Sequence, residues 1–487
     1  MPRRFPRIAI GALCLALALP ATAQWTQPQW DSAAGLPSLA SGDSHAASGE
    51  EFRLGRAWLR QFRARAPQWQ DPIAQHYVES MVTRLLPHSG LGGSQPLVTL
   101  VDSRQLNAFA VPGGIIGVNA GLFVFAEEEA AMVSVLAHEL GHLSQRHYAR
   151  GQARTEQTQV PAMAAMLAGM LIAAAGGGEA GIGVAMGSQA AFIQDQLAYS
   201  RRFEQEADRI GLQAMAQAGY DPQAMVRMFR AMQRMASLQG GNPPEFLLTH
   251  PVTESRISDT QDRAGQLAVP SPRDDDLQYH LVRARALLTI HGQDPQQAIN
   301  RLAQDDVPEA ARHYLGALVE ARRGNTDTAL ASLDALARQE PDLGLLPASA
   351  AEVAFDAGRY DDAIERSRRL LRLMPGHLPA TLVLGEALLQ RDADGAWRVL
   401  RELAEQRHED PQVFALLAQA AGRSGREAWG HLARAEQLQL NGRISEAIRQ
   451  LEVARQVAER EGDTGAAARI EQRREAFIGY RETLEKF

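Results

Sequence analysis

Residues 137–142 read Ala-His-Glu-Leu-Gly-His, inside a stretch from about Glu127 to Ala149 whose pattern is that of a helix. On such a helix His138 and His142 stand four positions apart and project from one face, with Glu139 beside them. This is the arrangement of a zinc peptidase helix. Two imidazoles and a third protein ligand hold a tetrahedral metal, and the open fourth position takes a water whose pKa the metal lowers toward ~7. Glu139 is then the base that takes the water's proton and returns it to the leaving amine. Three fixed positions of this kind coincide by chance in roughly one or two chains per hundred of this length, so the surrounding sequence has to carry the rest.

The motif lies in a chain of 487 residues, too long for a single core, and two or more domains are expected. Arg3, Arg4 and Arg7, the apolar run Ile8 to Leu19 and the small residues Ala21-Thr22-Ala23 make residues 1–23 a cleavable signal peptide with Gln24 as the mature N-terminus. The apolar run is well short of the ~20 residues of a spanning helix, so export is expected, not anchoring. Cys14, the only cysteine, falls within that run. The mature chain therefore has no thiol, which excludes cysteine as a zinc ligand and suits an oxidising compartment without disulfides. Loss of the three arginines takes the formal net charge from −7 to −10, which disfavours nucleic acid or anionic lipid as the main partner.

Residues 24–47, rich in Gln, Ser, Ala, Gly and Pro, are expected to form a disordered lead-in. A metallopeptidase domain is expected over 48–268. Its first helices span Glu50 to Arg65 and Asp71 to Leu86, the second with a capping Asp and a Pro in the first turn. The period then switches to strand over Leu97–Val101, Asn107–Val111 and Ile115–Val118, with a Pro112-Gly113-Gly114 turn, so a small sheet precedes the metal helix. Asn107–Val111 is open to two readings: a core hairpin strand, or a free edge to which a substrate adds as an antiparallel strand. Val160 to Ile193 is Ala, Met and Gly with only Glu179 charged. It is expected to be an apolar lid beside the site in place of a membrane hairpin, because Gly176 to Gly178 interrupt it and neither half reaches spanning length.

Residues 276–487 are helical and repetitive. Gly324, Ala329 and Pro341 recur as Gly358, Ala363 and Pro375 at an interval of 34; Gly442 and Ala447 keep the five-residue spacing, and Asp394 to Pro411 is a degenerate copy. Helix pairs of this period cannot bury their apolar faces alone and stack into a superhelix. The stretch resembles about four tetratricopeptide repeats, whose concave surface is expected to bind peptide or a partner protein.

A third metal ligand has to come from elsewhere. Position 148 is Tyr and position 145 is Gln, which excludes a third histidine six residues past His142 with a glycine between. Ser200-Arg201-Arg202-Phe203-Glu204-Gln205-Glu206-Ala207-Asp208, on a helix starting near Gln194, places Glu204 and Asp208 on one face. Glu204 can ligate zinc and Asp208 can hydrogen-bond a ligand histidine to fix its tautomer. By spacing alone, a solvated acidic face fits as well.

Taken together, HELGH, the SRxxExEAD stretch at 200–208, Leu248-Thr249-His250-Pro251 with Arg256-Ile257, and Asn107–Gly114 (NAFAVPGG) resemble the M48 family of metallopeptidases over roughly residues 50–265. The resemblance implies one Zn2+ per chain held by His138, His142 and Glu204, Glu139 as catalytic residue, and Asp208 in support. The fold it implies is mainly α: a zincin-like metallopeptidase domain with a small β-sheet, followed by an all-α tetratricopeptide-repeat solenoid. With its signal peptide and repeats, the chain is similar to periplasmic members of that family. A periplasmic endopeptidase is thereby implied that degrades misassembled outer-membrane barrel proteins and assists their assembly, with the repeats engaging substrates or the outer-membrane assembly machinery. The competing reading is a repeat-based chaperone or adaptor whose zinc site is structural or latent; an intact glutamate in HELGH argues against it, since a structural site has no use for a base. His250 is open to three readings: a fourth ligand that plugs the metal, an oxyanion stabiliser (a role also open to Arg256), or a packed loop residue. His147 is expected to point away from the metal.

Overall fold

Helix α1 (Ser44–Arg63) opens the part of the chain that the computed structural model describes, namely residues 44–91, 95–155, 157, 200–238, 244–273 and 277–485. The signal peptide, the lead-in up to residue 43 and the apolar stretch 160–193 lie outside those residues. Because α1 begins at Ser44, the lead-in ends earlier than its composition suggests. Helix α2 (Pro72–Leu85) starts where Asp71 accepts from the Ile73 and Ala74 amides and Pro72 fills the first turn.

The sheet consists of β1 (Leu97–Val101), β2 (Ala108–Val111) and β3 (Ile115–Asn119) in the order β1-β3-β2. β3 is buried throughout and runs parallel to β1 and antiparallel to β2, with Ala110 opposite Ile116. β2 is therefore an edge strand. After α3 (Ala120–Phe125) comes α4 (Glu129–Ser144), the helix that carries HELGH. It is buried without a break from Ala131 to Gly141, as expected of a helix apolar on every side.

The helix expected to run on to Ala149 stops at Ser144. Arg146 takes a left-handed backbone at φ 50°, its guanidinium held 2.9 Å from Glu51 on α1, and a new helix α5 (147–155) leaves from there. A non-glycine residue in this region costs energy and persists where its surroundings hold it. Helices α6 (200–217), α7 (Gln223–Leu238), α8 (Glu245–Thr249) and α9 (Glu254–Ala264) complete this half.

The second half is a helical array: α10 (Leu277–Ile290), α11 (Pro295–Ala303), then α12 (Glu309–Arg322) with α13 (Thr326–Gln339), α14 (Leu345–Asp356) with α15 (Tyr360–Leu373), α16 (Leu378–Leu389) with α17 (Ala393–Gln406), α18 (Pro411–Arg423) with α19 (Glu427–Leu440), and α20 (Ile444–Glu461) with α21 (Thr464–Glu485). The recurring alanines 329, 363 and 447 are fully buried, where only a methyl fits between facing helices. In the degenerate copy Ala396 keeps that role, while Arg391 replaces the turn glycine and Asp392 caps the Gly395 amide. Gly442 turns α19 into α20, half a repeat after Gly425, so it marks a different turn from Gly324 and Gly358.

Helix α2 packs against α10, α14 and α16. Arg285 of α10 is buried between Asp71 (2.7 Å) and Glu352 (2.8 Å), Arg407 meets Glu79 (2.6 Å), and Arg56 meets Glu409 (2.6 Å). Arg60 bonds Gln439 at 2.7 Å and lies 4.2 Å over the Tyr480 ring. Helices α1 and α2 of the same chain are thus held against the helical array by buried and half-buried ion pairs. Among the described residues no helix is long and apolar enough to cross a membrane.

Candidate metal centre and active site

Helices α4 and α6 cross at close range. A Cβ on Gly141 would lie 2.8 Å from the Cα and carbonyl oxygen of Ala207, and one on Gly211 only 3.1 Å from the backbone nitrogen of His138. These two glycines allow α6 to bring Glu204 against the histidines of α4. His138 Nε2 and His142 Nε2 are 3.0 Å apart, and a Glu204 oxygen lies 3.4 Å from each. His250, at the end of α8, brings Nδ1 to 3.4 Å from His138 Nε2 and 3.1 Å from Glu204. The ligand atoms of all four residues lie within 4.8 Å of one another. Tetrahedral metal bonds of about 2.0–2.2 Å set ligand atoms about 3.3–3.6 Å apart; the 3.4 Å separations fall in that range and the 3.0 Å between the two Nε2 atoms lies just short of it.

The charge balance also calls for a cation. Glu139, Glu204 and Asp208 are all at least 96 % buried, and the cation packed among them is Arg256. Arg256 donates Nε and Nη2 to Asp208 at 2.8 and 2.7 Å, and Nη1 reaches Glu204 at 2.9 Å and the Pro251 carbonyl at 2.8 Å. Its fork is fully engaged behind the site, which removes it from the oxyanion role considered for it and makes it the partner of Asp208. Asp208 Oδ1 in turn lies 2.8 Å from His138 Nδ1, which keeps the proton on that nitrogen and leaves the Nε2 lone pair for a metal. Burial alone would raise both carboxyls, but Arg256 and His138 hold Asp208 below its ordinary value, and His138 and His250 hold Glu204 far below. Burial alone would lower His138; bonding to Asp208 and Glu204 outweighs it and pushes the imidazole up to about 9. A site that retains a proton so firmly among buried carboxylates is one that a divalent cation would fit.

Glu139 is 1 % exposed, its Oε1 has no hydrogen-bond partner among the described residues, and burial raises its carboxyl above the ordinary value. β2 packs against α4, and the Ala110 backbone slightly offsets the rise of this carboxyl, which sets the edge strand beside the base. His250 Nε2 stands 3.6 Å from Glu139 Oε1. All six residues singled out from the sequence, His138, Glu139, His142, Glu204, Asp208 and His250, come together here.

One constellation was not anticipated. Because the chain turns at Arg146, His147 folds back behind His142 and places its Nδ1 2.9 Å from Nδ1 of that residue, outside the group of four that could hold a metal. His147 Nε2 lies 3.0 Å from Glu206, which Arg150 also grips at 2.8 Å, and its ring stacks on Phe203 at 4.2 Å. Burial opposes ionisation of Glu206, yet His147 and Arg150 pull it down to about 2, while burial keeps His147 below its ordinary value. If Nε2 of His142 faces a metal, its Nδ1 carries the hydrogen and donates to His147, whose own hydrogen then sits on Nε2 and goes to Glu206. The three carboxylates of Glu204-Gln205-Glu206-Ala207-Asp208 therefore face the metal, the rear of His142 and the rear of His138. The available signal was a histidine five residues past His142, together with Glu206 between two acids already singled out.

Residues 72–264 match the family described as peptidase family M48, and residues 354–420 match a tetratricopeptide repeat. A Vibrio cholerae protein named as a beta-barrel assembly-enhancing protease is 31 % identical over 466 residues, which cover 93 % of this chain and 94 % of the relative. The beta-barrel assembly-enhancing protease of Escherichia coli is 30 % identical over 86 % of each chain. More distantly, the mitochondrial metalloendopeptidase OMA1 of Schizosaccharomyces pombe is 30 % identical over 37 % of this chain and 50 % of its own.

Proposed function

This chain belongs to peptidase family M48 and is a metalloendopeptidase, and we propose that it holds one zinc ion on His138, His142 and Glu204 and acts in the periplasm on misassembled outer-membrane barrel proteins. The observation that carries the reading is the convergence of those three residues on one point with Glu139 buried and partly unpartnered beside them. Zinc bound there supplies a Lewis acid for the scissile carbonyl and lowers the pKa of water. Glu139, made more basic by burial, takes the proton of the attacking water and returns it to the leaving nitrogen. Asp208 with Arg256 orients His138, and His147 with Glu206 orients His142.

Substrate alignment falls to β2, an edge strand with which no other described strand pairs on its outer side, so that an extended chain can pair with it through its backbone. A barrel strand that has failed to pair in its own sheet has that form, and the names of the relatives point to the same class of protein. His250, at the fourth corner of the cluster and beside Glu139, is the guard of the resting enzyme: substrate gains access when it withdraws. The signal peptide read from the sequence supports the location. The repeats, held against α1 and α2, leave their outer surfaces for assembly partners, and assistance to assembly is assigned to them.

The test is Glu139→Gln in the zinc-loaded protein. Zinc content and circular dichroism are expected to be unchanged while cleavage of an unfolded barrel protein falls about 10²–10⁴-fold. Cleavage at the wild-type rate would overturn the endopeptidase mechanism, and would leave the repeat-based chaperone reading standing.

A further inference from the structure

A cavity of about 620 Å³ runs alongside β2. One wall is α1, through Leu54, Trp58 and Phe62; another is β2 itself, from Asn107 to Val111; and across from them stand Tyr148 and Thr249, the chain neighbours of His147 and His250. The aromatic lining is ordered. Trp58 and Phe62 stack at 4.8 Å, and Phe109 meets them edge-on at 5.5 and 5.4 Å with its ring laid against Gly117. Among the described residues that line the cavity, Asp102 is the one that carries charge. Its volume lies within the ~300–1,000 Å³ of ordinary ligand pockets.

We propose that this cavity is a specificity subsite that takes an apolar or aromatic side chain from a substrate chain paired with β2, an inference that rests on the endopeptidase reading above. Successive side chains of a strand point to opposite faces of its sheet. Phe109 lies on the face covered by α1, and α4, the helix that carries Glu139, packs against the same strand. A chain added to the free edge of β2 continues both faces. Every second side chain then turns toward α1 and over the cavity mouth, beside the position of the scissile bond. A charged side chain there loses its water to apolar walls and is disfavoured; an aromatic or branched aliphatic one is accepted. The substrate class selected is an extended segment with apolar residues at alternate positions, which is the pattern of transmembrane barrel strands. Backbone pairing selects for an unpaired strand, and the cavity adds a requirement for its side-chain pattern.

The experiment uses the zinc-loaded full chain, a library of extended peptides randomised around a fixed core, and mass spectrometry to locate the cut bonds. Wild-type protein is expected to favour Phe, Tyr or Leu over Glu and Lys by about tenfold or more at one position near the cut. Leu54→Glu is expected to move that preference to Arg or Lys, and Leu54→Trp to move it to Ala or Val, with peptides suited to each variant still cut. A loss of folding lowers all cleavage alike and cannot produce either switch. Cleavage without side-chain preference, or an unchanged preference in both variants, overturns the subsite alone. No cleavage of any peptide by the wild type overturns the endopeptidase reading and the subsite with it.

Discussion

Replacing His147 with Ala removes the acceptor behind His142. The His142 Nδ1–H, now 2.9 Å from Nδ1 of His147, is left in a largely buried position without a partner. Stranding a donor of this kind costs about 1–3 kcal/mol. Because the tautomer concerned is the one that binds metal, the cost falls on the zinc-bound form and weakens zinc affinity about 5- to 150-fold. The assay is competition for zinc against a chromophoric chelator, with folding followed by circular dichroism. His147→Ala also loses the stack on Phe203 at 4.2 Å, so a second variant separates the two effects. His147→Gln has no ring to stack but keeps an acceptor oxygen, and is expected to recover most of the affinity. Wild-type affinity in His147→Ala, or no recovery in His147→Gln, would refute the hydrogen-bonded chain from Glu206 to the metal.

Two further outcomes follow from the site and from the repeats. His250→Ala is expected to raise the rate of peptide cleavage several-fold while leaving zinc bound by His138, His142 and Glu204; a fall in rate would show His250 to be part of the catalytic machinery instead of its guard. Glu386 sits near Asp356 and Glu352, and burial together with those carboxylates pushes it up to about 7 from an ordinary 4.5. An acid whose pKa is raised by folding binds its proton more tightly in the folded state, so stability falls as pH rises from about 4.5 through 7 and stays lower above. Glu386→Gln is therefore expected to stabilise the protein by about 1–3 kcal/mol at pH 8 and hardly at all at pH 4, read as the shift of the urea midpoint. Equal shifts at both pH values would contradict this.

What could be read from the sequence follows from how local each signal is. The strands read at 97–101 and 115–118 and the Asp71–Pro72 helix start depend on short-range period, whereas the pairing of HELGH with Glu204 and Asp208, on a separate helix, came from the family resemblance and not from spacing. The break after Ser144 has neither signal. Nothing in Gln145-Arg146-His147 resembles a turn, and Arg146 is held in its left-handed backbone by Glu51, 95 residues earlier in the chain. The turn at Arg146 is what brings His147 behind His142, where it supports that ligand from the side away from the metal. Arg256 is a similar case: an arginine near a catalytic centre suggests oxyanion binding, and only the fold shows its fork filled by Asp208, Glu204 and Pro251. The repeat period was visible in Gly324, Gly358 and the buried alanines, but not that α2 would lie against α10, α14 and α16. Contacts between halves that far apart in sequence leave no periodic trace.

The most direct test of the metal centre is anomalous diffraction at the zinc edge from crystals of the zinc-loaded, resting protein. The expected result is one zinc per chain, bonded at about 2.0–2.2 Å to Nε2 of His138, Nε2 of His142 and a carboxylate oxygen of Glu204, with His250 in the fourth position. Zinc bound elsewhere in the chain, or a centre that leaves out Glu204, would contradict it.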